Sequence, residues 1–214
     1  MACVGFLHTS PVHATTFDAL VAEAAEGTDT VVVVDEALLA TARREGPEHP
    51  DVAAGIITAL DELERRGATV IVCTCSTIAG EAERLSRGRV APVIRVDRPM
   101  AEAAVAYGPR IAIIAAVEST FGPTRALFES VANDAGQPIN LSEHLCEGAW
   151  DRFEAGDHLG YLKTIAATCS TLDGTCDVIV LAQASMAGAT ALLDVSVPVV
   201  TSPRLAVEAA VRLA

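Results

Sequence analysis

A chain of 214 residues is long enough for one large domain or two lobes of about 100 residues each, with a full core and no need of staples. It is 51% hydrophobic but only 4% aromatic, so its apolar mass is mostly Ala, Val, Leu and Ile, as in buried parallel sheets covered by Ala-rich helices. A net charge of −13, from 28 acidic and 15 basic residues with Lys163 the only lysine, argues against nucleic acid as a partner and in favour of a soluble surface.

No apolar run approaches the ~20 residues a bilayer requires, so no membrane partner is expected. The N-terminus runs at once into the strand-like VGFLHTS without a basic leader, which makes the cytoplasm the expected location. The six cysteines, Cys3, Cys73, Cys75, Cys146, Cys169 and Cys176, lack a paired CxxC zinc pattern, and in a cytosolic chain they do not argue for disulfides. No metal is expected. No GxGxxG or Walker loop follows the first strand, which argues against a nucleotide site.

In chain order, the first half predicts strands over 3–8, 30–35, 69–74 and 92–96 and helices over 15–26, 50–66, 77–87 and 98–107. The second half repeats this pattern. A shift of 108 residues lays 31–72 on 139–180, so that VVVVDEALL meets INLSEHLCE and VIV meets VIV. The shift is 107 near the start, where VGFLHTS meets IAIIAAV, and 106 near the end, where EAAVA meets EAAVR. Strands alternating with helices predict an α/β fold of two pseudo-symmetric lobes, each a short parallel sheet flanked by helices. The expected division is 1–97 plus 203–214 for lobe one and 98–202 for lobe two. The loops after the strands should gather at one edge of each lobe and face a cleft between the lobes.

The phrase VIVCTCSTIAG at 70–80 is written again as VIVLAQASMAG at 178–188, with Gln183 opposite Cys75. Ser76 or Thr77 is expected to cap the helix that follows, leaving backbone N–H groups aimed outward. A cysteine just before a helix N-terminus has its thiolate favoured by the dipole, so Cys75 is placed to be reactive. Cys73, set against Leu181, reads as a small buried thiol.

These residues resemble the aspartate/glutamate/hydantoin racemase superfamily. Cys75-Ser76-Thr77 is similar to its first C-N-T motif, with Ser76 in place of asparagine. The second motif, G-C-T, falls on Ala182-Gln183-Ala184-Ser185, with Gln183 where the second cysteine belongs. The resemblance implies two similar lobes, cofactor-independent chemistry at a carbon next to a carboxylate, and a small carboxylate or amino-acid-like substrate. It names Cys75, Gln183 and His8 as catalytic candidates. Thr9, Ser10, Ser76, Thr77, Ser119, Thr120, Ala184 and Ser185 become substrate-contact candidates. His8 and Thr9 take the place of a polar pair ending the family's first strand, and the His8 imidazole is expected near Cys75, holding its thiolate or shuttling its proton.

Gln183 does not titrate near neutral pH, so two-thiol racemisation is not expected. One thiol still supports proton transfer from one face, as in related decarboxylases, or addition to an alkene, as in related cis–trans isomerases. A non-catalytic carboxylate binder is the alternative from another class. Cys169 reads as core, opposite Asp61. His144 and Cys146 are too few for a metal, and Glu143 is expected opposite Asp35 across the repeat. Self-association into a homo-oligomer is left open.

Overall fold

The computed structural model describes residues 2–214. The first half runs β1 (Cys3–His8), α1 (Ala14–Ala24), β2 (Asp29–Val34), α2 (Glu36–Glu45), α3 (Pro50–Arg65), β3 (Val70–Cys73), α4 (Ser76–Leu85), β4 (Val93–Arg95) and α5 (Arg98–Tyr107). The second runs β5 (Arg110–Ala115), α6 (Phe121–Ala135), β6 (Asn140–Leu145), α7 (Ala149–Glu154), α8 (His158–Thr171), β7 (Val178–Leu181), β8 (Val199–Thr201) and α9 (Ser202–Leu213). Among the described residues the strands form two four-stranded parallel sheets, β2-β1-β3-β4 and β6-β5-β7-β8. The fold is the expected α/β one, with the same strand order in both sheets.

The central strands of each sheet are buried on both faces because the helices supply apolar stripes at helical spacing. In α3, Val52, Ile56, Ala59, Leu60 and Leu63 recur every three or four residues and all are buried. Pro50 opens that helix at its first turn, where a missing N–H costs nothing. They join Leu7, Ile71, Cys73 and Val93 on one face of the first sheet, with Leu38 of α2 and Ile78 of α4. The other face buries Val4, Phe6, Val70 and Val72 against Phe17 and Val21 of α1 and Ala206, Val207 and Ala210 of α9. Alternation along β3 thus sends Cys73 one way and Val72 the other.

The chain divides into two units, one ending at Asp97 and completed by Pro203–Ala214, the other Arg98–Ser202. The last helix written in each half therefore belongs to the other half's unit. Helix α9 covers β1 and β3, while α5 lies against β7 and β8.

The structure corrects the sequence reading in three places. Helices α2 and α7 were not expected. The signal for α2 was present in Asp35, whose carboxylate accepts from the N–H groups of Ala37 (3.0 Å) and Leu38 (3.2 Å) as an N-cap. The register of β2 on β6 is also different. Cys3 pairs with Asp29 and Arg110 with Asn140, so β1 and β5 are offset by 107 residues but β2 and β6 by 111. Asp35 therefore corresponds to buried Cys146, each N–H donating to the last residue of the neighbouring strand, and not to Glu143. Glu143 instead pairs with Arg125 at 2.6 Å. Finally, the segment after β7, Ala184–Leu192, is a 3₁₀ run where an α-helix was expected.

Gly5 shows how closely β1 is covered. A Cβ there would stand 2.8 Å from the Ala68 Cβ and 3.2 Å from Ile71 Cγ1. Neither atom is the free end of a flexible chain, so the strand or its neighbour must shift. Gly5→Ala is expected to cost about 1–3 kcal/mol in urea denaturation at unchanged m-value; an unaltered midpoint would refute this account of the contact.

Candidate active site

The strand order builds the site before any side chain is considered. From β1 the chain moves outward to β2, then returns past β1 to β3 and β4, so the C-terminal ends of β1 and β3 form a topological switch point. Pairing of Leu7 with Cys73 brings His8-Thr9-Ser10 beside Thr74-Cys75. In the second unit Ile114 pairs with Leu181, which brings Ala116 and the loop after β5 beside Gln183. The two copies of the repeated phrase occupy the same place in their own sheets.

In the first unit Cys75, not Ser76 or Thr77, is the N-cap of α4, and its side chain makes no capping bond. Its carbonyl accepts from Ile78 N–H (3.1 Å) and Ala79 N–H (2.9 Å). The Ser76 and Thr77 N–H groups precede these and lie outside the helix ladder. The Cys75 thiol is half-buried at this opening. Cys73 is fully buried, and burial pushes its thiol well above the ordinary range, which suits an inert core residue.

His8 is fully buried at the end of β1, stacked 5.6 Å from Phe6 with rings nearly parallel and tilted against Phe17. Its polar contact is Thr74, not Cys75: Nδ1 lies 2.7 Å from Thr74 Oγ1. The single Thr74 hydroxyl proton goes to the Leu7 carbonyl (3.1 Å), so Nδ1–H donates to Thr74. Nε2 then carries a bare lone pair with no partner among the described residues. Burial, assisted by His13, lowers the His8 pKa to about 4. The ring is neutral at pH 7 and cannot be the cation that holds a thiolate. Thr9 is buried beside it and Ser10 half-buried.

In the second unit Gln183 is the residue before the 3₁₀ run, and its side-chain oxygen accepts from Ala116 N–H at 2.7 Å. A backbone N–H can only donate, so this bond assigns Oε1 inward and leaves the two Nε2 protons to be offered elsewhere. Met186 N–H bonds the Gln183 carbonyl (2.9 Å), so the N–H groups of Ala184 and Ser185 precede the first closed turn. Ser185 Oγ lies 2.8 Å from Tyr161 OH. Ser119 and Thr120 fall in a short 3₁₀ turn, Glu118–Thr120, with Ser119 exposed and Thr120 leading into α6. Cys169 is core, and burial lifts its thiol to about 12.

Thr74, Ala116 and Tyr161 are partners that the sequence reading missed. So is the pair of half-buried Arg95 and buried Asp97, joined by two bonds of 3.0 Å at the end of β4. A Cβ on Gly80 would stand 3.2 Å from Arg95 Nη1, so the glycine ending the first phrase makes room for this guanidinium. Among the described residues no group of three or more His, Cys, Asp or Glu is placed to hold a metal.

Because His8 is held neutral in the fold but titrates freely when unfolded, stability from this group is full above its ordinary pKa near 6.5. It is lost as pH falls from there to about 4, by roughly 3 kcal/mol in all. His8→Gln is expected to flatten this part of the stability–pH profile. Equal slopes for the two proteins between pH 6.5 and 4 would show that His8 is not held neutral.

A family model for Asp/Glu/hydantoin racemase matches residues 12–210. Aspartate racemase from Picrophilus torridus is 14% identical over 99% of this chain and 94% of its own, with a TM-score of 0.75. An aspartate racemase homologue from Pyrococcus horikoshii is 15% identical over 100% and 99%, with a TM-score of 0.74. Allantoin racemase from Klebsiella pneumoniae is 19% identical over 100% and 87%, also at 0.74. No curated protein matches the sequence. The structural likenesses establish a shared fold, and the family match spans nearly the whole length. This chain belongs to the Asp/Glu/hydantoin racemase family, and by that membership is an isomerase-type enzyme.

Proposed function

We propose that the protein is a cofactor-independent enzyme acting at the carbon next to a carboxylate of a small acid or amino acid, with Cys75 as its single acid/base. One observation carries the reading: the Gln183 amide is fixed by Ala116 N–H so that it offers donors only. In the repeat and in the family resemblance, Gln183 takes the position of the second thiol, the one that would take or return a proton. It cannot do so, but its Nε2 protons suit the negative charge that develops on the carboxylate. The half-buried Cys75, with no capping bond to break, supports the proton-transfer role. The racemases of aspartate and allantoin among the structural neighbours support a small polar substrate.

In this mechanism the Cys75 thiolate takes the proton from the α-carbon. The C–H electron pair moves into the adjacent carboxylate, giving an enediolate that Gln183 and the first N–H groups after it hydrogen-bond. The S–H then returns its proton to the same face, so the configuration is kept. The same one-sided set also serves to protonate a carbanion left by decarboxylation, and the presence of a single titrating group favours that as the second reading. Binding of a small carboxylate without turnover is the outcome that would replace both.

Incubation in D₂O with aspartate, glutamate, hydantoins, malonates and maleate tests the proposal. Deuterium is expected at the α-carbon of one class without inversion, and Cys75→Ser is expected to reduce it by roughly 10²–10⁴-fold. Inversion as fast as exchange in the wild type would sink the one-thiol mechanism. A second thiol at the Gln183 position should change the outcome in a defined way: Gln183→Cys is expected to gain inversion, measured by chiral chromatography, and exchange with no gain would mean that this position does not reach the reacting carbon.

A further inference from the structure

Tyr161 has no part in the proposed proton transfer, yet its geometry is specific. It lies in α8, 1% exposed, in a cluster with Cys146, Cys169, Leu181 and Met186, and its ring centroid is 5.1 Å from that of Phe153. A phenol buried among such groups needs a partner for its O–H. That partner is Ser185 Oγ at 2.8 Å. The half-buried Ser185 stands two residues after Gln183, at the start of the 3₁₀ run. Either hydroxyl can donate in this bond; the buried phenol, with no other acceptor among the described residues, is satisfied only as the donor, which leaves the half-buried Ser185 its own proton to give. Burial pushes the Tyr161 pKa up to about 12, so the phenol stays an O–H donor throughout the neutral range.

The other unit lacks this pair. At the same offset of 108 residues, Tyr161 corresponds to Ala53 and Ser185 to Thr77, whose exposed hydroxyl has no hydrogen bond among the described residues. The unit that carries the thiol leaves that hydroxyl unsupported. The unit that carries the amide backs it with a buried phenol.

We propose that Tyr161 is a positioning residue: it donates to Ser185 and so directs the Ser185 hydroxyl proton to the same substrate carboxylate that the Gln183 amide addresses. This rests on the reading of Gln183 as an anion donor. The phenol polarises the hydroxyl it supports, and the two side chains together make this half of the site a donor surface. Tyr161 acts only through Ser185, so removing either should have one and the same effect.

The test is an NMR titration with malonate, following the Gln183 side-chain amide in ¹⁵N-labelled protein and Tyr161 in protein labelled at the tyrosine Cζ. The chain has only two tyrosines, so assignment needs one variant. In the wild type both signals are expected to move along one saturation curve. Tyr161→Phe and Ser185→Ala are each expected to weaken malonate roughly tenfold, and the double variant no more than either alone. Three results would overturn the proposal while leaving the reading of Gln183 intact. A Gln183 response without a Tyr161 response would do so in the wild type, whether or not Tyr161→Phe folds. Unchanged affinity in Tyr161→Phe, or effects of the two variants that multiply, would do so in the variants. Absence of any saturable response at Gln183 in the wild type would instead overturn the anion-donor reading itself, and the proposal with it.

Discussion

Parallel strands cannot be joined by a tight turn, and most of this architecture follows from that constraint. Each return to the same edge requires a crossover, here one or two helices, and those helices bury both faces of the sheet. The central strands must then be apolar on both sides, which is why Val70–Cys73 and Val178–Leu181 are fully buried. All strands of a sheet point the same way, so their C-terminal ends share one edge. The order β2-β1-β3-β4 opens a gap in the crossovers between β1 and β3, and the equivalent order opens one between β5 and β7. The polar loops have their place there because the backbone leaves room there.

Within that frame the two corresponding loops carry different side chains. One unit places a half-buried thiol at the mouth of an α-helix. The other places an amide whose oxygen is tied to Ala116 N–H, followed by a hydroxyl tied to a buried phenol. A thiol can change its protonation state during a reaction. An amide and a hydroxyl at neutral pH can only hold charge by hydrogen bonding. Duplicated lobes permit this division because each loop can change without disturbing its sheet: Cys75 and Gln183 both precede a helical segment and follow a buried strand. The buried neutral His8, bonded to Thr74, belongs to the frame of the thiol loop, since its ring carries no charge with which to hold a thiolate.

The strands and long helices were legible because burial imposes its period on the sequence. The apolar runs at 3–8 and 70–73 and the stripe of α3 needed no tertiary information. Helix α2 was missed although Asp35 caps it, because its apolar stripe is reduced to Leu38 and Ala42 and the segment carries several charges. The β2–β6 register was misread because both are half-exposed edge strands, on which the core imposes little pattern. Cys75 and Gln183 were legible because the repeated phrase marked them as equivalent. Thr74, Ala116 and Tyr161 were not, since each acts on a residue at least 24 positions away in sequence.

The sequence by itself determined the fold class, the duplication, and the substitution of an amide for a thiol, because hydrophobic period, strand spacing and residue chemistry are local properties. Tertiary structure alone decided what each of these groups is bonded to. It turned the His8 ring toward Thr74, fixed which end of the Gln183 amide faces Ala116, and set a buried phenol under Ser185. The first two choices depend on strand pairing that joins segments more than 60 residues apart, and the third on the packing of α8 against the 3₁₀ run.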